Sequence, residues 1–504
     1  MSDNTLPDPT QTPLPDRSAE GSLEFRLRRA DSPNGLIVTP VRSLIRHAPV
    51  LVPPGMSIRQ AAELMREQHV SSVPLTEGSR LVGIVTDRDL RNRVLAAGLD
   101  PSRPVSEVAT PEPIGIDARS TAFDALLLMA RRNVHHVPVL DGAEVVGMFT
   151  TTDLTEHHSS SAVFLAGEIH RQDSVQGLQK LSSRIAQLQR HLAHGSATAY
   201  ATGHVITAIT DALTSRLLQL AEARFGPPPV PYAWVAAGSQ ARSEQTAKSD
   251  QDNCLVLDDR FEPDQHDAYF KAVSDFVCAG LDACGYIFCP SEMMAKTDTW
   301  RQPMRRWKQY FQRWVDEPDP QALMLTCVFF DQRCVHGQAS LLDELRAEVL
   351  QRTRGKGLFL AHMVGNALSR EPPLGLFGNI SASRSGEHRG TVNLKHQGIV
   401  PVVDLARVYA LAAGHAEVNT HDRLAMASRS GEISEQSPHD LRDALELLAE
   451  ARIQHQTRQI DAGQPADNYL VLDELSNFER TLLKDAFAVV RTLQQVLAQR
   501  YRGI

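Results

Sequence analysis

Two carboxylates near the middle of the chain, Asp250 and Asp252, have a spacing that suits metal chemistry. If this stretch is extended, side chains at i and i+2 point to the same face, so both carboxylates open on one pocket. Converging carboxylate oxygens suit Mg²⁺, which usually completes its shell with water and substrate phosphates. Mn²⁺ shares this preference for oxygen ligands. The spacing therefore predicts a Mg²⁺ or Mn²⁺ site that handles a phosphate substrate.

A Gly-Ser pair, Gly238 and Ser239, precedes the carboxylates and follows a short apolar run that predicts a strand. Glycine lets a backbone approach a ligand closely, and N–H groups at a turn or helix start attract phosphate oxygens. Arg242 follows in the same loop and can add a charge-assisted hydrogen bond to phosphate, or else pair with Glu244 or Asp252. These residues predict a phosphate-binding loop beside the metal site.

Residues 238–253 resemble the active-site motif of the nucleotidyltransferase superfamily, and more narrowly that of nucleotidyltransferases related to PII-protein uridylyltransferase. The resemblance implies transfer of a nucleoside monophosphate from a nucleoside triphosphate to a protein or small-molecule acceptor. One departure is Ala241, where these proteins commonly have glycine. The alternative interpretation is a nucleotide-sensing scaffold protein whose transferase fold no longer turns over.

Members of this superfamily carry a third carboxylate on a later strand. Asp331 follows an apolar run, residues 323–330, that has strand character, so the resemblance makes Asp331 the third candidate metal ligand and catalytic residue. Its role would be to bind metal or to help deprotonate the attacking group. The alternative is a turn residue that ends a strand.

An internal repeat precedes this region. In each copy a helical apolar pattern leads into two short apolar runs and a second helix. A shift of 64 residues superposes the copies without a gap, aligning Pro40 with Pro104, Met65 with Met129, Gly83 with Gly147 and Asp89 with Asp153. The repeat resembles a tandem pair of CBS domains, built from β-α-β-β-α units over residues 36–158 (about 36–98 and 100–158).

Adenosine-binding CBS domains carry a Thr/Ser-x-x-Asp string after their last strand. Thr86 with Asp89 and Thr150 with Asp153 fit this string. The resemblance therefore implies AMP, ADP or ATP as a regulatory ligand. The alternative is that each Thr or Asp only caps the helix that follows.

The remaining segments complete a multidomain α+β protein. The proline-rich residues 1–35 are too polar to form a core and predict a disordered tail. Residues 159–230 predict a helical connector, which transmits state, mediates a homodimer, or simply packs on the next domain. Residues 231–338 predict the nucleotidyltransferase-like domain with a mixed sheet. Residues 339–504 resemble the helical substrate-binding domain that accompanies this family.

Basic residues in the second half of the chain invite a nucleic-acid interpretation. The aromatic residues Trp300, Trp307, Phe311 and Trp314, however, follow one helical stripe, which favours a buried face. Lys395, Arg407 and residues 384–389 could line the mouth of the active site, but as single charges they are interpreted as solvated surface groups. Lys plus Arg total 52 and Asp plus Glu 60, a net charge of −8, so no nucleic-acid partner is expected.

The composition is that of a cytoplasmic protein. No apolar run approaches the length of a membrane span, so no membrane partner is expected. The six cysteines include no C-x-x-C pair and predict reduced core thiols.

Overall fold

The structure is a computed structural model of the chain. It describes residues 40–45, 48–132, 134–150, 160–195, 197–319, 322–323, 327–375, 378–383, 385–430 and 436–501. The predicted disordered tail and Asp153 lie outside these residues. None of the described helices combines the length and apolar composition needed to cross a membrane.

The first copy of the repeat is a helix packed on a three-stranded sheet. Helix α1 (Ile58–Glu67) precedes strands β1 (Ser72–Glu77) and β2 (Arg80–Thr86), and β3 (Thr110–Pro111) pairs with β2. Helix α1 begins with a capping box in which Ser57 accepts from the backbone N–H of Gln60. Short helical segments complete this copy: Asp87–Asp89, a π-helix at Leu90–Leu95 and a 3₁₀ turn at Val105–Glu107, whereas the segment Val41–Leu44 packs on the core of the second copy.

The second copy repeats the arrangement. It consists of β4 (Ile116–Asp117), helix α2 (Ala122–Arg132), β5 (His136–Asp141) and β6 (Glu144–Thr150). Each copy has an antiparallel hairpin, and the hairpins have their register shift at equivalent points, Leu75/Thr76 and Val139/Leu140. The irregularity therefore recurs at the repeat distance, which confirms the internal repeat.

Helix α2 belongs to two hydrophobic cores. Ala125 and Met129 face the core of the second copy. Phe123 and Leu127, one turn apart on another face, are buried in the large core of the rest of the chain. The repeat is therefore packed against the transferase half through this helix.

The connector is four helices: α3 (Ser160–Arg171), α4 (Val175–Ser182), α5 (Arg184–His194) and α6 (Ala199–Phe225). Helix α6 is buried along most of its length because it packs against the following domain rather than standing free. Gly280 lies in the later helix Pro263–Ala283, which packs on α6. A Cβ at Gly280 would lie 2.5 Å from the Leu217 side chain of α6, so the two helices approach closely at this glycine. The packing role that the sequence left open is therefore present in the structure.

The central sheet has the strand order β11-β9-β7-β12. Its strands are β7 (Tyr232–Ala237), β9 (Asn253–Leu257), β11 (Arg301–Pro303) and β12 (Gln332–Gly337). Strand β11 is parallel to β9, and the other pairs are antiparallel. The sheet is therefore mixed, as predicted. Every residue of β7 and β9 is buried because helices cover both faces.

Smaller elements complete this region: β8 (Asp250–Gln251) pairs in parallel with β10 (Ile287–Phe288), and helices α7 (Pro263–Ala283) and α8 (Met304–Asp316) flank the sheet. Helix α8 carries the tryptophan stripe. Trp307 is fully buried and its indole N–H donates to the Leu255 carbonyl at 2.8 Å. The stripe is core, as predicted. Arg301 is also buried, and its guanidinium donates to Asp298 and to backbone carbonyls.

The segment before Asp331 differs from the prediction. Residues 327–330 form a 3₁₀ helix, Cys327–Phe330, rather than a strand, and residues 324–326 lie outside the description. A short apolar run bounded by turns fits either element, since periodicity alone does not separate them. Asp331 therefore precedes a strand, β12, instead of ending one.

The C-terminal half is mainly helical. Its helices are α9 (Ala339–Thr353), α10 (Gly357–Leu368), α11 (Val400–Ala413), α12 (Thr420–Ser430), α13 (Gln436–Asp461) and α14 (Asn477–Arg500). A two-stranded ribbon of β13 (Thr391–Asn393) and β14 (Tyr469–Val471) is added to them. A π-helix, Lys395–Ile399, leads into α11. A capping box of Ser476 with Glu479 begins α14.

Candidate active site

The two carboxylates of the predicted metal site alternate with buried amides. Gln251 donates to the carbonyls of Cys278 and Tyr286 at 3.1 and 2.9 Å, and Asn253 accepts from the Ala295 N–H at 2.9 Å. Because neighbouring side chains of an extended chain point to opposite faces, the inward amides direct Asp250 and Asp252 to the other face. The structure therefore brings the predicted pair together.

The pKa values of the two carboxyl groups are shifted in opposite directions. Burial, followed by the neighbouring Asp250 charge, raises the pKa of Asp252 to about 6. Burial would also raise the pKa of Asp250, but the Lys395 ammonium and a backbone hydrogen bond outweigh it and hold that pKa below its usual value. The Cys289 thiol hydrogen-bonds Asp252. Two carboxylates held together in a half-buried place are suited to a divalent cation.

Gly238 follows β7 and opens the short helix Gly238–Ala241. Its φ of +57° favours glycine. A Cβ at this position would lie 2.7 Å from Asp252 Oδ2, so any other residue would displace the carboxylate. Ser239 is half-buried and makes no side-chain hydrogen bond with another described residue. The Gly-Ser turn and the carboxylate pair are therefore parts of one site, and these donors fit a Mg²⁺ or Mn²⁺ ion.

A stripe on helix α6 supports this turn and the loop after it. Gly203, Thr207 and Asp211 are spaced by four residues and lie on one face. A Cβ at Gly203 would lie 2.8 Å from the Ser243 carbonyl oxygen, and Thr207 accepts from the Gln245 N–H at 3.3 Å. Thr207 and Asp211, two polar residues one turn apart in a largely apolar helix, are the sequence signal that indicates this support of the loop.

Arg333 joins the same stripe to the turn. Its guanidinium donates to Asp211 Oδ2 at 2.7 Å and to the Gln240 carbonyl at 2.8 Å. The Gln240 amide also donates to Asp211, at 3.0 Å. Ala241 lies in the helix with no positive φ, so nothing at this position requires the glycine of the relatives.

Asp331 is fully buried among three arginines. Arg242 donates to its Oδ2 at 2.6 Å, and Arg423 donates to its Oδ1 at 2.6 Å. Arg407 donates to both oxygens, at 2.9 and 2.6 Å. Burial alone would raise the pKa of this carboxyl, but the arginines hold it far below its usual range.

These contacts correct two predictions. Both oxygens of Asp331 are occupied by guanidinium groups, and no three His, Cys, Asp or Glu side chains of the described residues form a metal-binding group. The predicted centre of Asp250, Asp252 and Asp331 is therefore not assembled. Arg242 pairs with Asp331 and with Glu244, at 2.7 Å, rather than facing a phosphate. The pairing with Glu244 is one of the alternatives that the sequence left open.

Lys395 completes the site from the C-terminal half. Its ammonium lies 3.2 Å from Asp250 Oδ1. The interpretation of Lys395 and Arg407 as solvated charges is wrong for both, and the alternative position at the mouth of the site fits Lys395. No local pattern distinguishes them, because their partners are distant in the sequence.

The regulatory string of the first CBS copy lines a cavity between the two copies. The cavity has a volume of about 680 Å³ and is lined by Thr86 and Asp89 with His136 of the second copy. Arg88, Arg91, Arg93 and Arg132 also line it, which favours an anionic ligand. The Ser71 hydroxyl and His136 Nε2 lie 2.8 Å apart and bridge the copies.

Thr86 and Asp89 also cap the turn that follows β2. Asp89 Oδ2 accepts from the Thr86 N–H at 3.0 Å and from its hydroxyl at 2.7 Å. The capping role that the sequence left open is therefore present, alongside a position at the cavity. Thr150 ends β6, and its predicted partner Asp153 lies outside the described residues.

Family models match most of the chain. Residues 183–321 match "Putative nucleotidyltransferase DUF294" and residues 357–501 match "Putative nucleotidyltransferase substrate binding domain". Residues 41–96 and 105–160 match the CBS domain. The chain thus belongs to the CBS-domain proteins, and in it a CBS pair is joined to a nucleotidyltransferase region of the DUF294 type and its substrate-binding domain.

Relatives match about a quarter of the chain. The CBS domain-containing protein YhcV of Bacillus subtilis is 34% identical over 110 residues, 22% of this chain and 79% of that protein. Hypoxic response protein 1 of Mycobacterium tuberculosis is 30% identical over 128 residues, 25% of this chain and 90% of that protein. A CBS domain protein from Pyrobaculum aerophilum, solved with AMP, is 28% identical over 25% of this chain and 95% of its own, with a TM-score of 0.23.

The burial of Asp331 among Arg242, Arg407 and Arg423 gives a first prediction. Replacing Asp331 with Asn leaves buried guanidinium groups without their charge partner, and we expect a loss of about 3–5 kcal/mol in the free energy of unfolding. Urea unfolding followed by tryptophan fluorescence measures this. The matched control is Asp258→Asn, which removes a surface pair with Arg260 at 2.7 Å and should cost about 1 kcal/mol or less. Equal, small effects in both variants would contradict the structural role.

The raised pKa of Asp252 gives a second prediction, for protein in EDTA. Since this pKa is raised from 3.8 to about 6, the charged carboxylate opposes folding at pH 8, whereas below about pH 4 the group is protonated in both the folded and the unfolded chain and the penalty is lost. Asp252→Asn should therefore stabilise the fold at pH 8 by on the order of 1–2 kcal/mol, and this gain should vanish towards pH 4. Thermal unfolding at several pH values measures it. A destabilised Asp252→Asn variant at pH 8 would contradict the prediction.

Proposed function

We propose that this protein is a Mg²⁺-dependent nucleotidyltransferase that moves a nucleoside monophosphate from a nucleoside triphosphate to an acceptor. The observation that carries the proposal is the carboxylate pair, Asp250 and Asp252, set against the Gly238 turn. The family model for this region supports the same class of reaction. The pair lies where the substrate-binding half meets the sheet, since Lys395 of that half contacts Asp250.

The residues of the site divide the work as follows. Asp250 and Asp252 would hold Mg²⁺ or Mn²⁺, which when bound neutralises the triphosphate for attack at the α-phosphate. Gly238 and Ser239 would lie against the phosphates, with the Ser239 hydroxyl available as a donor. The acceptor oxygen forms a bond to the α-phosphorus, and pyrophosphate leaves. Asp331 and Arg242 keep the loop in place without touching the substrate.

The acceptor is a protein or a small molecule held by the C-terminal half. The resemblance to PII-protein uridylyltransferases favours a protein acceptor of the uridylylation class. A cleft of about 580 Å³ in the C-terminal half, lined by Ser383, His388 and Tyr469, also includes Asn393, two residues before Lys395. This cleft supports an acceptor position close to the carboxylate pair.

We also propose that AMP, ADP or ATP binds the CBS pair and regulates transfer. The arginine-lined cavity beside Thr86 and Asp89 supports an adenine nucleotide, because its cations suit phosphate and the carboxylate can accept from ribose hydroxyls. Helix α2 provides the connection, since Phe123 and Leu127 are packed in the same core as α6. Helix α6 carries Asp211, which holds the turn through Arg333.

A second candidate function is a nucleotide-sensing scaffold protein without turnover. One observation favours it: Asp331, the predicted third carboxylate, is committed to three arginines. The site then lacks the group that was expected to help deprotonate the acceptor. A homodimer, predicted from the connector helices, is compatible with either function.

The proposed transferase activity predicts that substitution of Asp250 and Asp252 removes the transfer of nucleotide label to an acceptor. Purified protein is incubated with each α-³²P-labelled nucleoside triphosphate and cell extract, with and without Mg²⁺. We expect Mg²⁺-dependent label on a protein or small molecule, reduced at least about 10³-fold in the Asp250→Ala, Asp252→Ala double variant, since cation binding and triphosphate neutralisation are lost together. The matched control is Asp258→Ala with Asp259→Ala, the same charge change at the other end of β9.

Labelling that survives in the Asp250, Asp252 double variant would reject these residues as the site. Nucleotide binding without any transfer by the unaltered protein would favour the scaffold protein instead.

The regulatory proposal predicts selective weakening of AMP binding. Thr86→Ala should raise the Kd for AMP about tenfold, because it removes a hydroxyl at the cavity and disturbs Asp89. The matched control is Ser57→Ala, which breaks a capping box in the same CBS copy but away from the cavity. Isothermal titration calorimetry measures both. Similar Kd values in the two variants would place AMP elsewhere.

A further inference from the structure

Lys395 is held by a well-anchored backbone. It is the first residue of the π-helix that follows β13, and the N–H of the preceding Leu394 donates to the Asn468 carbonyl at 2.9 Å. Asn393 caps the segment, accepting from the His396 N–H at 2.9 Å. Leu394 is fully buried. The backbone on both sides is therefore fixed, and only the Lys395 side chain extends towards the carboxylate pair.

The contact that it makes is open on one side. The Lys395 ammonium lies 3.2 Å from Asp250 Oδ1, and the side chains are 29% and 25% exposed. An ion pair with this exposure is weak enough to be replaced by a ligand that arrives from solvent. A carboxylate oxygen contacted by an ammonium is also the kind of oxygen that a divalent cation binds.

Other cations near the pair are already committed. Arg242 is bound to Glu244 and Asp331. Arg452 is buried, and its guanidinium donates to Asn468 at 2.7 Å. Among the described residues, Lys395 is thus the cation that both touches the pair and reaches solvent. Lysine binds phosphate as a point charge on a flexible stem, so it can move from a carboxylate to a nearby phosphate.

We propose that Lys395 occupies the position of the metal cation on Asp250 when the site has no ligand, and transfers to the phosphates of the metal–nucleotide when the nucleotide binds. The substrate-binding half then supplies a nucleotide-binding residue to the transferase half. The inference rests on the proposed function, because it needs a metal–triphosphate at this pair. It also implies opposite effects of Lys395 on the metal alone and on the metal–nucleotide.

The experiment measures these two bindings in the full chain. Mn²⁺ binding without nucleotide is followed by electron paramagnetic resonance. Binding of the non-hydrolysable α,β-imido analogues of ATP, CTP, GTP and UTP, each with Mn²⁺, is followed by calorimetry. Lys395→Met should bind Mn²⁺ alone about threefold more tightly or better, because the competing ammonium is gone. The same variant should bind the preferred Mn²⁺–nucleotide about tenfold more weakly, because a phosphate contact is lost.

Two further variants make the result specific. Lys395→Arg keeps the charge and should stay closer to the unaltered protein in both measurements. Lys356→Met removes a comparable lysine–aspartate pair, at 2.8 Å from Asp316, and should change neither. Thermal unfolding checks that each variant is folded.

The outcomes separate this inference from the proposed function. If the unaltered protein binds Mn²⁺–nucleotide and Lys395→Met changes neither affinity, or weakens both, Lys395 is only a structural contact and the inference is wrong. If the unaltered protein binds neither Mn²⁺ nor any Mn²⁺–nucleotide, the proposed function fails and the inference fails with it. Opposite shifts in Lys395→Met, absent in Lys356→Met, support the inference.

Discussion

The buried carboxylate of Asp331 is the interaction on which the arrangement of this protein depends. It binds Arg242 of the active-site loop, Arg407 of α11 and Arg423 of α12, so one anion joins the transferase sheet to the substrate-binding half. Arg242 also pairs with Glu244, and Arg407 also pairs with Asp404. Three acids therefore balance three arginines. A buried cluster of this kind is tolerable only when every charge has partners, which makes each member sensitive to substitution.

Helix α6 packs against the loop that contains Arg242. One of its faces presents Gly203, Thr207 and Asp211 to the residues around the Gly238 turn, and its apolar residues share a core with Phe123 and Leu127 of α2. The CBS pair and the loop around the Gly238 turn thus contact the same helix. The regulation proposed above would act through these packed side chains.

The carboxylate pair has the opposite character from the Asp331 cluster. Asp250 and Asp252 repel each other in a half-buried place, and the Lys395 ammonium helps to outweigh the effect of burial on the pKa of Asp250 but does not outweigh it for Asp252. Two carboxylates kept together at this cost support the cation site proposed above. Close contact of Gly238 with Asp252 adds the second requirement, since any larger residue would move the carboxylate.

The sequence by itself determined what depends on neighbours along the chain. The repeat, the tryptophan stripe and the alternation that places Asp250 beside Asp252 are patterns visible along the chain, and the structure contains all of them. The tertiary structure decided which charges meet. Asp331 is 76 residues from Arg407, and Asp250 is 145 residues from Lys395. No local sequence pattern identifies such partners, because the residues around an Asp or a Lys do not show whether its side chain faces solvent, a metal ion or an arginine. Only the packing of the two halves assigned Asp331 to the arginines and Lys395 to the carboxylate pair.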